Sequence, residues 1–535
     1  MAAAMQTLLL MLAVLVVVAV VARRLHTAPS ILLVIAGIGM ALVPGLPTIE
    51  LAPELVLLGI LPPLIYSAGV AMSWREFRFN LRPITLLAFG LVVFTACAVA
   101  AAAHWLLGMP WAVAFVLGAI VAPPDVLAPL AIARRLGLPR RIVVVLEGEG
   151  LANDATALIL YRFAVVAVST GVFSLGRAAV TFTALVIGEI VWGVVVGLLS
   201  LRLRRWVRDP RVEITMSLMT PYVAYGLPER LGGSGVLACV AAGLYISWKG
   251  PLLIPSATRL QGIFFWDLVV YLIEGMVFLL TGLQARALIE RAATASLREE
   301  LLATVVTTGI VVAARFLWTF PATYLPRWLS PSLARRDPAP PWQAPFTIAF
   351  TGVRGVVSLA AALAVPLTTA SGAPFPYRDL LLFVTFGVIV ATLVVQGLLL
   401  PPVVRWLGLA RDRSEERQRE QAAELDARGA AIETAYRRLQ QLATERNPPD
   451  GVLELLRARH ATRAQQYAHA MSDGWKHAAL GSQLRSELID VEREHLFQLL
   501  RDGKITDESR RRLERELDLE EVGLAHGKGN DDVPL

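Results

Sequence analysis

The fold class this sequence predicts is an all-α polytopic membrane protein with a helical, water-soluble tail. Three observations predict it. Hydrophobic residues make up 56% of the 535 positions and charged residues only 17%, against roughly 25% charged in soluble domains; mean hydropathy is +0.58. The charge is unevenly placed: the chain up to Ala410 carries 29 Lys+Arg and 18 Asp+Glu, and the short remainder carries 21 and 25. Finally, apolar stretches of about 20 residues recur, each long enough to cross a ~30 Å hydrocarbon core as a helix. Strand-like alternation is absent, which argues against a barrel.

Composition also removes other classes. Cys97 and Cys239 lie in apolar runs without a CxxC or a His partner, so neither a disulfide framework nor a zinc site is expected. The net charge of +7 sits in short loops between apolar runs, a distribution that does not suggest a nucleic-acid partner. Leu8 to Val21 lacks a basic leader and a small-residue cleavage site, and reads as a retained first helix rather than a signal peptide.

The apolar stretches lie near 5–22, 29–43, 52–71, 83–107, 111–131, 141–168, 176–203, 212–227, 232–248, 260–284, 299–326, 343–367 and 379–409, and are numbered here as spans 1 to 13. Spans 2 and 8 are short enough to be re-entrant, which sets the expectation at about 13 helices, from twelve to fourteen. Basic residues set the topology. Loops after odd-numbered spans carry nineteen Lys or Arg, among them Arg75, Arg78, Arg140, Arg141, Arg208 and Lys249; loops after even-numbered spans carry six, among them Arg291. The N-terminus is therefore expected outside and the tail inside. The domains are read as 1–410, transmembrane, and 411–535, a cytosolic helical tail in which Leu and Ala recur at helical spacing among alternating charges. The tail serves as a solvated appendage or as a regulatory or dimerising module.

An ionised side chain inside a span costs at least ~2.5 kcal/mol, so each one needs a partner or a function. Those present are Asp125 in span 5, Glu147, Glu149, Asp154 and Arg162 in span 6, Glu189 in span 7, Asp267 and Glu274 in span 10, Arg315 in span 11 and Arg354 in span 12. Arg162 and Asp267 are expected to snorkel near the interfaces. Asp125 follows Pro123 and Pro124 and precedes Pro129, which predicts an interruption of span 5 inside the membrane. Thr351-Gly-Val-Arg-Gly355 predicts a matching break in span 12. Interrupted helices in a bilayer line wet cavities and bind ions at their exposed ends. The two breaks are seven spans apart, which suits two inverted six-helix repeats joined by span 7. In span 6, Gly150 is expected to leave room above Asp154 for water or an ion.

PPDVLAPLAIARRLGLPRR, EGEGLANDATALILYR and FTGVRGVVSLAAALAVP resemble, in this order and spacing, the bacterial sodium/proton exchanger branch of the monovalent cation/proton antiporters. The resemblance covers roughly residues 50 to 410, and the tail segment GKITDESRRRLERELDLEE is similar to those proteins too. It implies that Asp154, after Asn153, carries the cation or the proton in turn, with Asp125 supporting the site. It implies that Glu149 and Arg354 pair across helices, and that Glu274 and Arg315 are a second buried acid and base. It also implies a homodimer whose core domain moves as a rigid body. Three positions depart from many relatives: Gly150 where they have Ser, Pro124 where they have Thr, and Ser67 where sodium exchangers have Glu. Each thins the cation shell.

The expected function is secondary active antiport of Na+ for H+ across the inner (cell) membrane by alternating access, electroneutral, serving pH and sodium homeostasis. K+ or Li+ are the alternative cations. A channel would need a continuous ion path, and a membrane sensor with a purely structural polar network would need a signalling motif; the tail carries none. No cofactor and no enzymatic reaction are expected, and the metal expected at Asp154 and Asp125 is Na+ itself.

Overall fold

Backbone amides and carbonyls in an apolar stretch must satisfy one another, so a chain of this composition folds as helices. In the computed structural model every apolar stretch above falls on a helix or on a pair of half-helices. The residues described are 2–25, 27–44, 51–207, 209–292, 297–409, 413–472, 475–502 and 504–527. Among them there is no strand, only an isolated bridge between Thr368 and Pro374. Arg208, the boundary at 410/411 and the first residue of the tail motif, Gly503, lie outside the described residues.

Spans 1, 4, 6, 7, 10, 11 and 13 are helices long and apolar enough to cross a membrane, the longest being Ser256–Leu288 and Leu297–Leu329 at 33 residues each. Pro29–Ala41, Leu55–Ala71 and Val236–Leu252 are the shorter apolar helices of spans 2, 3 and 9. Span 8 is longer than its hydropathy indicates: the helix Pro210–Arg230 has 21 residues, entered through Asp209, whose side chain accepts from the Arg211 amide. Its polar ends, not its length, shorten the apolar reading.

Spans 5 and 12 are broken. Span 5 runs as Trp111–Val121, stops at the proline pair, and resumes as Leu127–Leu136. Span 12 runs as Gln343–Phe350 and resumes as Val356–Leu363. Span 13 stays continuous but carries a π-helical turn at Ala391–Gln396.

Packing sorts the spans into two groups. Spans 4, 5, 6, 11, 12 and 13 pack mainly with one another, as do spans 1–3 and 7–10, and the groups meet through spans 6 and 9, 3 and 6, and 10 and 12. Within the second group, small residues permit close crossings, as expected where lipid supplies no hydrophobic drive between helices. A Cβ on Gly282 of span 10 would lie 2.8 Å from the Gly37 Cα of span 2, and one on Gly243 of span 9 would lie 3.0 Å from the Gly69 Cα of span 3. The first group is tied at its loop face by Asp337, which takes Arg82 at 2.7 Å, Arg141 at 2.6 Å and Arg327 at 2.8 Å. Burial works to raise the Asp337 pKa, but these arginines, Arg141 foremost, hold it below the usual carboxylate value.

Contacts divide the chain into two compact units, 1–411 and 412–535. In the second unit, Arg413–Arg446 ends at Asn447-Pro-Pro, and Asp450–Ser472 follows. Trp475–Arg501 and Asp507–Gly527 pair through Arg485–Glu520 at 2.7 Å and Arg493–Asp518 at 2.6 Å. Such exposed pairs contribute little each; Ile489 and Leu517 supply a small buried seam.

The crossing of spans 2 and 10 gives a direct test. Gly282→Leu should destabilise the detergent-solubilised protein by about 1–3 kcal/mol, the range for overpacking, seen as a lower melting temperature. Gly39→Leu, on the same helix as Gly37 but with nothing within 4 Å of its Cβ, should change it little.

Candidate functional site

A helix broken in mid-membrane leaves carbonyls without donors at one end and amides without acceptors at the other. Side chains near the breaks in spans 5 and 12 meet that demand. Arg354 donates Nε to the Val121 carbonyl at 2.8 Å and Nη2 to the Ala122 carbonyl at 3.2 Å, capping the C-terminal end of the first half of span 5. A third donor, Nη1, reaches the Gly352 carbonyl within its own break. A cation at a helix C-terminus is also favoured by the helix dipole. At the other side of the break, Asp125 Oδ1 accepts from the Leu127 amide at 2.9 Å, where the second half-helix begins. The Asp125 amide donates to the Val353 carbonyl at 2.7 Å, joining the two breaks directly. The Arg354 amide donates to Thr392 Oγ1 at 3.0 Å, in the π turn of span 13.

Glycine is required where these groups converge. A Cβ on Gly355 would strike the Asp125 carboxyl, and one on Gly352 would lie 2.5 Å from Arg315 Cδ and 3.1 Å from Arg354 Nη1. The two glycines of Thr351-Gly-Val-Arg-Gly355 thus let an acid and two arginines approach the same backbone.

Glu149 is fully buried and forms a bidentate pair with Arg315, Nη1 to Oε1 at 2.5 Å and Nη2 to Oε2 at 2.8 Å. Arg315 Nε donates to the Ile348 carbonyl at 3.0 Å. Both expected pairings therefore need correction. Glu149 pairs with Arg315 rather than Arg354, because Arg354 is held by the orphan carbonyls of span 5. Glu274 does not pair with Arg315, because the Arg315 fork faces span 6 while Glu274 opens onto a cavity.

That cavity, of about 760 Å³, brings together Asp125, Asp154 and Glu274, with Ser67, Gly150 and Asp267 also on its wall. Asn153 is fully buried beside it; its Nδ2 donates to the Pro124 carbonyl at 2.6 Å and its Oδ1 accepts from the Asp154 amide at 2.7 Å. It fastens span 6 to the break in span 5. Gly150 lines the cavity with Asp154, and a Cβ there would press on the Val126 side chain. Asp267 is exposed and also borders the cavity, and Arg162 pairs with Glu229 at 2.5 Å. Glu147 pairs with Arg134 at 2.7 Å.

Several groups escape a reading of the sequence. Thr392 looks like any span threonine. Glu213 and Arg204, both buried, also line the cavity, although each lies at the end of its span and reads as a loop charge. Glu189 accepts from the Ser234 and Leu237 amides at 2.6 and 3.1 Å, capping span 9; the Gly232-Gly-Ser-Gly235 run before span 9 was the available signal. Among the described residues, no group of three or more His, Cys, Asp or Glu could hold a metal ion.

The pairing gives an energetic test. Glu149→Gln should leave Arg315 buried and unpaired, at a cost of about 3–5 kcal/mol, and Arg315→Met should cost as much. The double variant should recover a large part of the loss, giving a strong coupling in a melting-temperature cycle. A cycle of Glu149→Gln with Arg354→Gln should show a much weaker coupling.

Comparison with known proteins adds to this geometry. The sodium/hydrogen exchanger transmembrane family model matches residues 10–406. A Mycobacterium tuberculosis protein named as an uncharacterized Na(+)/H(+) exchanger is 36% identical over 96% of this chain and 95% of its own length. The Na(+)/H(+) antiporter ApNhaP of Aphanothece halophytica is 30% identical over 89% of each chain. A sodium, potassium, lithium and rubidium/H(+) antiporter of Bacillus pumilus is 32% identical over 75% of this chain and 60% of its own. The sodium proton antiporter MjNhaP1 of Methanocaldococcus jannaschii shares the fold, with a TM-score of 0.58 at 18% identity over 76% of this chain and 97% of that one. The chain is a multi-pass membrane protein of the sodium/hydrogen exchanger family, a cation/proton antiporter and hence a secondary transporter rather than an enzyme.

Proposed function

We propose that Asp154 is the exchange group, binding an alkali cation or a proton in turn, and that Asp125 supports it. One observation carries this reading: two carboxylates share a cavity while the two buried arginines beside them are engaged elsewhere, Arg315 on Glu149 and Arg354 on helix carbonyls. A carboxylate without a fixed cationic partner needs a mobile one, and Na+ and H+ compete for it. Asn153 positions Asp154 and the break together. Na+ is the leading cation. K+ and Li+ are the alternatives, favoured by the breadth in the Bacillus pumilus relative's name and by a shell in which Ser67, Gly150 and Pro124 replace stronger ligands.

The remaining arrangement follows the same reading. The group of spans 4–6 and 11–13 carries both breaks and Asp154, and it moves against the other group to alternate access. The breaks, seven spans apart, favour two inverted six-helix repeats within about 13 crossings. The arginine bias places the N-terminus outside and the tail, from residue 411, in the cytosol; the membrane is the cell membrane and the protein a homodimer. Exchange there serves pH and sodium homeostasis.

Reconstituted vesicles test the assignment. Acid-loaded vesicles of wild type should release protons on addition of external alkali cation, with no release when cation is withheld. Asp154→Asn should reduce release to the protein-free background while its melting temperature stays near wild type; release at the wild-type rate would refute the assignment. Asp125→Asn should slow release by about tenfold, the equivalent of about 1.4 kcal/mol on the barrier.

Exchange should also be electroneutral. Asp154 has an amide beside it rather than a second acid, no span carries a mid-helix Lys, and a guanidinium does not deprotonate in proteins. The site then takes one proton or one monovalent cation and carries the same charge both ways. Sodium-driven exchange should keep its rate and end-point when a potassium–valinomycin potential is imposed. A shift with potential would mean that Asp125 also releases a proton.

A further inference from the structure

A second cavity, of about 1070 Å³, lies outside the exchange site, where span 3 ends, span 6 begins and span 9 ends. Its ionisable lining is lopsided: Arg75, Arg78, Arg140 and Arg141 against Glu76. Glu76 is taken by Arg140 in a bidentate pair, at 2.6 and 2.9 Å, and Arg141 reaches Asp337 at 2.6 Å. Arg75 and Arg78 remain exposed, three residues apart on the short helix Trp74–Phe79, and so project from neighbouring positions on one side of it.

Aromatic groups surround the same cavity. Trp74 packs on Trp248 with ring centroids 5.9 Å apart, and Lys249 Nζ sits 3.7 Å from the Trp248 ring centroid, adding a further positive charge. Phe79 is 71% exposed and Trp248 49%. Tryptophan and arginine together at the ends of apolar helices mark the headgroup level of a bilayer, and a basic pocket at that level suits an anionic headgroup. A water-soluble anion would gain nothing from the exposed rings; an acyl chain would cover them.

We propose that this cavity binds an anionic phospholipid, its phosphate held by Arg75 and Arg78 and its chains lying against Phe79 and Trp248. Guanidinium forks match phosphate oxygens in pairs, and the excess of arginine disfavours a zwitterionic headgroup less well suited to neutralise it. The bound lipid would link the short helix after span 3 to the start of span 6, the helix that carries Asp154, and to the end of span 9.

The test uses the full-length protein in detergent and reads melting temperature, so it does not depend on transport. Phosphatidylglycerol should raise the melting temperature of wild type by several degrees, phosphatidylcholine much less, and inorganic phosphate not at all. Arg75→Gln/Arg78→Gln should lose most of that rise, and Arg75→Lys/Arg78→Lys should keep part of it. Arg335→Gln/Arg336→Gln, which removes the same charge elsewhere, should respond as wild type. An equal rise in the Arg75→Gln/Arg78→Gln protein, or in phosphatidylcholine, would overturn the site. An equal rise with inorganic phosphate would overturn the lipid as its occupant.

Discussion

The backbone of two interrupted helices must be satisfied where no water is available to do it, and the rest of the site depends on that constraint. Each unmet group in a hydrocarbon environment costs several kcal/mol. Arg354 meets it at the Val121 and Ala122 carbonyls, Asp125 meets it at the Leu127 amide, and the Asp125 amide and Val353 carbonyl meet each other. The breaks are consequently one joined structure rather than two loose loops. The third member, Asn153, bonds the Pro124 carbonyl, so the position of Asp154 is set by the same network.

That network also decides which charges remain available. A guanidinium that caps carbonyls needs no carboxylate, and this releases Glu149 to Arg315. Glu149 and Arg315 neutralise each other in a bidentate geometry with Nε satisfied by the Ile348 carbonyl, a combination that makes a buried pair tolerable. Beside the breaks, what is left facing the cavity is acidic, Asp125, Asp154 and Glu274, although Arg134, Arg204 and Arg259 also line its wall. An acidic cavity beside two engaged arginines attracts small cations. Had Arg315 pointed to Glu274, or Arg354 to Glu149, the balance of the cavity would differ and the span 5 carbonyls would lack a donor.

Much of this was legible in the sequence, for reasons that can be named. Hydropathy located the helices because lipid imposes one solution on the backbone. The breaks were legible because Pro123, Pro124 and Pro129 remove amide donors, and Gly352 and Gly355 stand where a side chain would collide with Arg315 and Asp125. The partners of the charges were not. Spacing along a helix says which residues share a face, but whether Glu149 meets Arg315 or Arg354 depends on how spans 6, 11 and 12 rotate against one another. The main-chain carbonyls that hold Arg354 have no sequence signature at all. Span 8 was misread in length because its polar ends diluted the hydropathy, and the cavity-lining Glu213 and Arg204 were hidden at the ends of helices for the same reason.

The cation shell follows from the same packing. Gly150 borders the cavity with Asp154, and the Val126 side chain packs against it, so that part of the wall is apolar. Asn153 Oδ1 is already engaged by the Asp154 amide, and the Ser67 hydroxyl donates to the Leu64 carbonyl at 2.8 Å. Under the proposed exchange, the protein's contribution to the shell is therefore chiefly carboxylate oxygen, completed by water in a cavity of about 760 Å³, far larger than an alkali ion. Rigid cages select by size; a carboxylate in a roomy cavity selects by charge and hydration, and hydration differs among the alkali cations far less than between any of them and a proton. A site built in this way discriminates weakly among alkali cations and still switches cleanly between a cation and a proton, because protonation of the same carboxylate removes the charge that holds the ion.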